Sequence, residues 1–302
     1  MSTRTFRPSV KHALTVPPGV QGSAITPDGR YLLLADGSNG AVVVNVKRAE
    51  KGESHAVLGS LSQPNSTGPG GAIEVASSPD GRYAFVSVEY EARIAVYNLH
   101  AALAKHFRGS SYIGSIPVGQ LADGLAISPD GRWLYAVSEV GPLSVIRLAT
   151  AEHQPARSVS ATAPAGCNPT RVLASPDGHT VWVTARGSDQ LLAFSAAKLR
   201  HDPAHALLAA VGVGEAPIGL ALVKRNRDLI VADSNRFQTP GAVAELTVVR
   251  AGAALAHRHA VIGTIRTGTF PRELAVEHGK PTLLVGNFGS EQLEAVSLRK
   301  LP

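Results

Sequence analysis

The sequence predicts an all-β chain, a single β-propeller domain over residues 1–302 built from six four-stranded blades, with residues 1–11 as an N-terminal tail. Three observations predict it. A Pro-Asp-Gly turn recurs at near-constant spacing, each copy lies between two β-prone runs, and the copies account for nearly the whole chain. The turn prolines are Pro27, Pro79, Pro129 and Pro176, so the steps are 52, 50 and 47 residues. In such a turn Pro presets φ, Asp accepts a hydrogen bond from the following backbone, and Gly tolerates φ > 0, so each copy reads as a hairpin. Two weaker copies continue the series, around Lys224-Arg225-Asn226-Arg227 and Glu277-His278-Gly279-Lys280. A period of about fifty residues with several short strands per unit points to propeller blades. The alternative, seven blades, would need a seventh copy.

The third unit serves as the template for each element. Gly124–Ser128 is strand a, Trp133–Ser138 strand b, Leu143–Leu148 strand c and Val159–Ala163 strand d, an up-and-down meander. His12–Val16 occupies the place of a d strand before the first unit, and the last unit stops after its c strand, Leu293–Leu298. The N-terminal strand is therefore expected to complete the C-terminal blade and remove an open sheet edge. The c–d connections are richer in Ala and Leu, and Leu99–His106, Ser195–Arg200 and Gly252–His257 read as short helices.

Composition narrows the class further. An apolar content of 44% is ample for a core, and no apolar run reaches the ~18 residues of a membrane span. The first eleven residues lack the apolar stretch of a secretory signal. Cys167 is the single cysteine, which excludes an intrachain disulfide and a cysteine-based zinc site. The net charge of +6 is spread over many blades with few aromatics between, and the glycines repeat with the blades instead of forming a phosphate loop. Nucleic acid is accordingly not expected as a partner.

Ser-Pro-Asp-Gly-Arg-x-aromatic, as in Ser78–Tyr83 and Ser128–Trp133, followed by an alternating strand and a segment such as Ile116-Pro117-Val118-Gly119, resembles the YVTN-type propellers. It is similar as well to the lactonase-like propeller superfamily, over about residues 12–299. The resemblance implies a propeller fold, a lactone or ester hydrolase among the possible activities, and a periplasmic or secreted location. Lactonase-like members are usually described as seven-bladed, which the six copies here do not match.

In a four-stranded blade the d–a and b–c loops share one end, here called the top. Eleven carboxylates against six arginines fall there, which predicts an acidic upper end on a basic underside and a raised local cation concentration. Five residues before each turn proline, or its equivalent, stand Gly22, Glu74, Gly124, Arg171, Gly219 and Glu273. Strand a is innermost, so Glu74, Arg171 and Glu273 are the expected catalytic set, projecting into space left by glycines. One residue earlier come Asp123 and Arg272, and the b strands end at Asp36, Glu89, Glu139, Arg186, Asp233 and Asn287. These, with Arg236 and Phe237 on the long Asp233–Gly241 loop, are the expected ligand-binding residues. The bland reading is an ion-paired plug of Glu74, Arg171 and Glu273 that holds blades together. The functional reading is a polar site with carboxylates for acid–base work or, with Asn287, for Ca²⁺ or another hard divalent cation, and arginines for an anionic group. No compact metal motif is present. The Gly- and Pro-rich Ser62–Gly71 connection reads as a flap or turn-rich lid. Cys167 lies near Arg171, but no top-loop histidine is available as its base, which also argues against a Ser-His-Asp arrangement. The expected function is thus the binding of a small polar ligand in the top funnel, with lactone or ester hydrolysis open. The alternative is a non-catalytic scaffold for a protein partner or a polymer.

Overall fold

The structure, a computed structural model, describes residues 12–64, 68–277 and 279–301. Its fold is all-β, a propeller of six blades. Contacts gather into two units, one ending at Thr162 and the other beginning at Ala163.

The first half holds three blades. Blade 1 is β1 (Ser23–Ile25), β2 (Tyr31–Ala35), β3 (Ala41–Asn45) and β4 (Val57–Leu61). Blade 2 is β5 (Ala72–Ser77), β6 (Tyr83–Val88), β7 (Arg93–Asn98) and β8 (Tyr112–Pro117). Blade 3 is β9 (Gln120–Ile127), β10 (Trp133–Val140), β11 (Leu143–Arg147) and β12 (Val159–Ala163). In the second half, blade 4 is β13 (Pro169–Ala174), β14 (Thr180–Ala185), β15 (Gln190–Ser195) and β16 (Leu207–Gly212). Blade 5 is β17 (Pro217–Val223), β18 (Asp228–Asp233), β19 (Glu245–Arg250) and β20 (Val261–Arg266). Blade 6 is β21 (Pro271–Val276), β22 (Thr282–Asn287) and β23 (Gln292–Ser297).

Blade 6 therefore has three strands among the described residues, and the expectation that His12–Val16 supplies its fourth is corrected: those residues form no strand. Leu14 instead packs beside Val42, Val44 and Ala56 of blade 1. Burying an apolar side chain on an existing sheet face wins here over extending an edge by hydrogen bonds alone.

The second strand of each blade shows how the blades are joined. Side chains alternate across a strand, so β6 sends Ala84, Val86 and Val88 into a cluster with Leu33 and Val43 of blade 1. Its Tyr83 and Phe85 join Leu134 and Ile146 of blade 3 from the opposite face. In the second half β18 does the same, with Leu229 and Val231 against Trp182, and Ile230 and Ala232 against Leu283.

The hairpin turns form as the sequence leads one to expect. In Ser78–Tyr83 the Ser78 N–H donates to the Tyr83 carbonyl (2.9 Å), the Tyr83 N–H to Ser78 Oγ (2.9 Å), and Ser78 Oγ to Asp80 (2.6 Å). Gly81 follows at φ 69°. The hydroxyl of Ser175 and then the N–H of His179 hold the Asp177 carboxyl below its usual range. Blade 5 lacks Ser and Asp and turns on Lys224, Arg225 and Asn226, all at positive φ. Blade 6 keeps the same backbone bonds around Gly279 without the side-chain ones; His278 lies outside the described residues. Among the described residues, five short α-helices follow the c strands. Three are the expected ones, α2 (Leu99–Ala104), α4 (Ala196–His201) and α5 (Ala251–Leu255); α1 (Val46–Glu50) and α3 (Leu148–Ala151) are additional. Asn45, Asn98 and Ser195 cap α1, α2 and α4 through their side chains.

Ser175→Ala removes one hydroxyl that serves both Asp177 and the Thr180 N–H (2.9 Å). Urea unfolding should show a loss of about 1–3 kcal/mol, since the Thr180 donor is buried and left without its partner.

Candidate functional site

One backbone feature at the head of every first strand positions the top-end side chains. Eight residues before each turn proline, or its equivalent, the chain is left-handed: Gly19, Gly71, Leu121, Asn168, Ala216 and Phe270 have φ between 48° and 90°. A register shift follows immediately in β5, β13, β17 and β21. The carbonyl of the left-handed residue accepts the N–H that opens the b–c loop: Glu89 to Gly71 (2.8 Å), Arg186 to Asn168 (3.0 Å), Ser234 to Ala216 (3.1 Å) and Phe288 to Phe270 (2.9 Å). A bulge of this kind re-aims side chains and leaves one backbone group without its ladder partner. Where the bulge carries Glu74 or Arg171, the second strand supplies the missing acceptor. The Glu74 N–H donates to Ser87 Oγ (3.0 Å) and the Arg171 N–H to Thr184 Oγ1 (3.1 Å).

In the first half Glu74 fills the space that Gly22 leaves open. A Cβ at Gly22 would stand 2.4 Å from Glu74 Oε1 and 2.6 Å from the Ile73 carbonyl oxygen. Asp36 accepts from Ser38 Oγ (2.7 Å) and from the Ser38 and Gly40 N–H groups, so it builds its own loop. Asp123 is buried, and Glu89 and Glu139 are half-buried at the ends of β6 and β10. A lock between blades 1 and 2 lies beside them: Arg93 pairs with Glu91 (2.7 Å) and donates to Asn39, whose carbonyl takes the Tyr97 hydroxyl (2.5 Å). Of the Ser62–Gly71 connection, residues 65–67 lie outside the described residues.

The second half brings six of the expected site residues into one constellation. Arg171, buried on β13, reaches Glu273 on β21 at 2.5 Å, and Arg272 Nε lies 3.6 Å from the same carboxylate oxygen. Glu273 itself is 47% exposed. Between these strands in chain order, Gly219 on β17 is held against the Arg272 carbonyl, which a Cβ would meet at 2.5 Å. From Arg272 a row of guanidinium and phenyl groups continues. Arg272 stands over Phe288 (5.9 Å), Phe288 meets Phe270 edge to face (5.4 Å), and Arg236 stands over Phe270 (5.7 Å). Next to it, Phe237 lies under Arg186 (5.9 Å). Cation–π contacts of this kind stabilise by about 0.5–1 kcal/mol each at exposed sites.

The remaining two expected residues, Asn287 and Asp233, are buried at the ends of β22 and β18. Asn287 accepts from Thr267 Oγ1 (3.0 Å), and its Nδ2 is a buried donor without a hydrogen-bond partner among the described residues. Asp233 is fully buried; its Oδ2 takes the Thr247 hydroxyl (2.5 Å) and N–H (3.1 Å). Burial, with Glu245 opposite it across the strand pair, pushes its carboxyl up to about 7.

These features meet in the result of the family comparison. The sequence profile of the lactonase family, described as a 7-bladed β-propeller, matches residues 22–200. The chain belongs to this lactonase family. Its six blades are one fewer than the family description gives. A 6-phosphogluconolactonase of Cronobacter sakazakii is 30% identical over 129 residues, which cover 42% of this chain and 36% of that relative. The match thus spans about a third of the curated relative's length. Among solved structures, a Bacteroides uniformis protein proposed to be a 6-phosphogluconolactonase superposes with a TM-score of 0.73 at 12% identity, over 95% of this chain and 83% of that one. The periplasmic gluconolactonase PpgL of Pseudomonas aeruginosa gives 0.70 at 20% identity, over 92% and 80%. At these identities both show a shared fold.

Neither Phe270 nor Phe288 is among the residues singled out from the sequence. The signal was available: aligned on the turns, Phe288 follows the end of its b strand as Tyr90 and Val140 do, and all three are exposed. Among the described residues no group of three His, Cys, Asp or Glu side chains is placed to share a metal ion. No described helix is long and apolar enough to cross a membrane.

Two outcomes test this geometry. Thr184→Val leaves the buried Arg171 N–H without an acceptor and should cost about 1–3 kcal/mol in urea unfolding, whereas Thr184→Ser should restore most of it. For Asp233, the folded state binds its proton more tightly than the unfolded chain does. Its contribution therefore lowers stability as pH rises from about 4 to about 7, and is constant above that. Asp233→Asn should flatten that part of the stability–pH curve and raise the melting temperature relative to the parent at pH 8, both readable by differential scanning calorimetry.

Proposed function

We propose that the protein hydrolyses a sugar-acid lactone at Glu273, Arg171 and Arg272. The observation that carries this reading is a half-exposed carboxylate held by two guanidiniums in a chain of the lactonase family. The names of the relatives, a 6-phosphogluconolactonase and a gluconolactonase, support a lactone of a sugar acid as the substrate class.

The chemistry follows from the groups. Water adds to the lactone carbonyl, Glu273 accepts the proton that water loses, and a guanidinium faces the negative charge that develops on the carbonyl oxygen. Collapse of the tetrahedral intermediate breaks the ring C–O bond, and the same proton passes to the departing alkoxide. Arg171 is buried and bound on one side to the Thr170 carbonyl, so it fixes the Glu273 carboxylate. Arg272 is the more accessible cation and is assigned to the substrate. An extracytoplasmic location belongs to the same reading.

The alternative is a non-catalytic scaffold in which the Arg171–Glu273 pair acts as a plug; the burial of Arg171 favours it. A panel of sugar-acid lactones with a pH-indicator assay separates the two. Glu273→Gln should lower kcat by about 10²–10⁴-fold, the usual contribution of a positioned acid–base group. Arg272→Ala should raise KM, and a chelator should leave turnover unchanged. A parent protein silent on the whole panel overturns the hydrolase reading.

A further inference from the structure

We infer that the row of arginines and phenylalanines across blades 4, 5 and 6 binds an acidic sugar chain, so that the lactone taken at Glu273 is the end of an anionic oligosaccharide. The inference deepens the lactonase reading and rests on it for the reaction at Glu273, but the binding surface stands on its own geometry.

The row extends well beyond the reacting groups. From Arg272 it passes through Phe288 and Phe270 to Arg236 with ring contacts of 5.4–5.9 Å, and the next residue along the chain, Phe237, lies 5.9 Å under Arg186. A single sugar ring seated beside Glu273 would cover Arg272 and Phe288 and leave the rest unused. Phe237 and Phe288 are 59% and 62% exposed, an unusual cost for phenyl groups that no core demands. Guanidiniums match carboxylates by paired N–H donors, and the C–H face of a saturated ring packs against phenyl.

The carboxylates near the row are engaged within the protein. Glu273 is on Arg171, Glu215 Oε1 takes the Thr239 hydroxyl (3.1 Å), Asp189 Oδ1 takes the Ala216 N–H (2.8 Å) and Asp233 takes Thr247. Arg236 has no ion pair among the described residues and is exposed, which leaves its charge for a ligand. Its loop is already fixed. Ser234 Oγ donates to the Ala216 carbonyl (2.7 Å), Asn235 Nδ2 to the Ala242 carbonyl (3.1 Å), and Thr239 N–H to Asn235 Oδ1 (3.2 Å). A pre-ordered loop costs less entropy on binding.

Single-stranded nucleic acid also uses aromatics interleaved with cations, but it needs open platforms on which successive bases stack. Here Phe270 and Phe288 meet edge to face at 72°, and each carries a guanidinium over one face. That geometry suits separate saturated rings better than a base stack.

Isothermal titration with a hexameric oligogalacturonate, galacturonate monomer, a neutral maltohexaose and a hexameric oligodeoxythymidylate tests the inference on the intact protein. The acidic hexamer should bind at least about tenfold more tightly than either its monomer or the neutral hexamer. Arg236→Ala and Phe288→Ala should each weaken it several-fold, with melting temperatures checked to show that both variants fold. Equal binding of the acidic and neutral hexamers, no binding of the acidic one, or tighter binding of the oligodeoxythymidylate overturns the inference. Hydrolysis of monomeric lactones without any hexamer binding would defeat the inference and keep the hydrolase reading. Hexamer binding with no lactone turned over would do the reverse.

Discussion

Burial on both faces of the second strand is the constraint from which most of this structure follows. All six residues of β6, of β14 and of β18 are buried. A four-stranded sheet with two apolar faces cannot be stable in water alone, since each buried Val, Leu or Phe contributes about 1.5–3 kcal/mol only when a neighbour covers it. Successive units must therefore pack face to face, and within each half they do. The period-2 alternation makes this specific, because a slip of one residue would exchange the two faces.

The same constraint decides what polar residues on these strands can do. A hydroxyl or carboxyl in such a position has no water and must find its partner inside the protein. Ser87 and Thr184 meet that demand by accepting the N–H groups that the bulges of β5 and β13 release. Asp233 meets it with Thr247 at Oδ2 alone, its buried Oδ1 having no hydrogen-bond partner among the described residues, and it remains poorly disposed to carry charge. Bulge and hydroxyl thus form a matched pair: the first turns a charged side chain toward the top, and the second satisfies the backbone exposed by doing so. Blade 6 reaches the same register shift with Gly286 opposite Glu273, and there no hydroxyl is available.

The architecture was legible in the chain because turns and strands obey local rules. Pro-Asp-Gly with a preceding Ser or Thr names its own hydrogen bonds, and the alternation after it names two buried faces. The alignment on those turns also found Glu74 against Gly22, and Arg171 with Glu273. What the chain concealed depends on side-chain direction over a distance. Asp36 and Asp233 look like ligand groups until one sees that the first caps its loop and the second is sealed in. His12–Val16 has strand-like residues, yet whether it adds to an edge or lies on a face is settled by packing with Val42 and Ala56, which no local pattern encodes. Phe270 sits at a position where other blades carry Gly, Leu, Asn or Ala, and its left-handed backbone hides an aromatic role.

Charge in this protein is divided in a way that its total does not reveal. The acidic excess of the top loops belongs to the first half, where Asp36 and Glu91 are consumed by loop and inter-strand bonds. In the second half carboxylates and arginines are nearly balanced, but their uses differ. Asp189, Glu215 and Asp233 stabilise turns and strand ends, whereas Arg186, Arg236 and Arg272 stand over phenyl rings, Arg236 being exposed. For Arg236, which has no ion pair among the described residues, the phenyl ring positions the guanidinium without supplying a counter-charge. Such a surface keeps its attraction for anions while ordering the groups that exert it. Glu273 stands at one end of that row as its half-exposed carboxylate, where a lactone in the proposed reaction would meet a group able to take a proton from water.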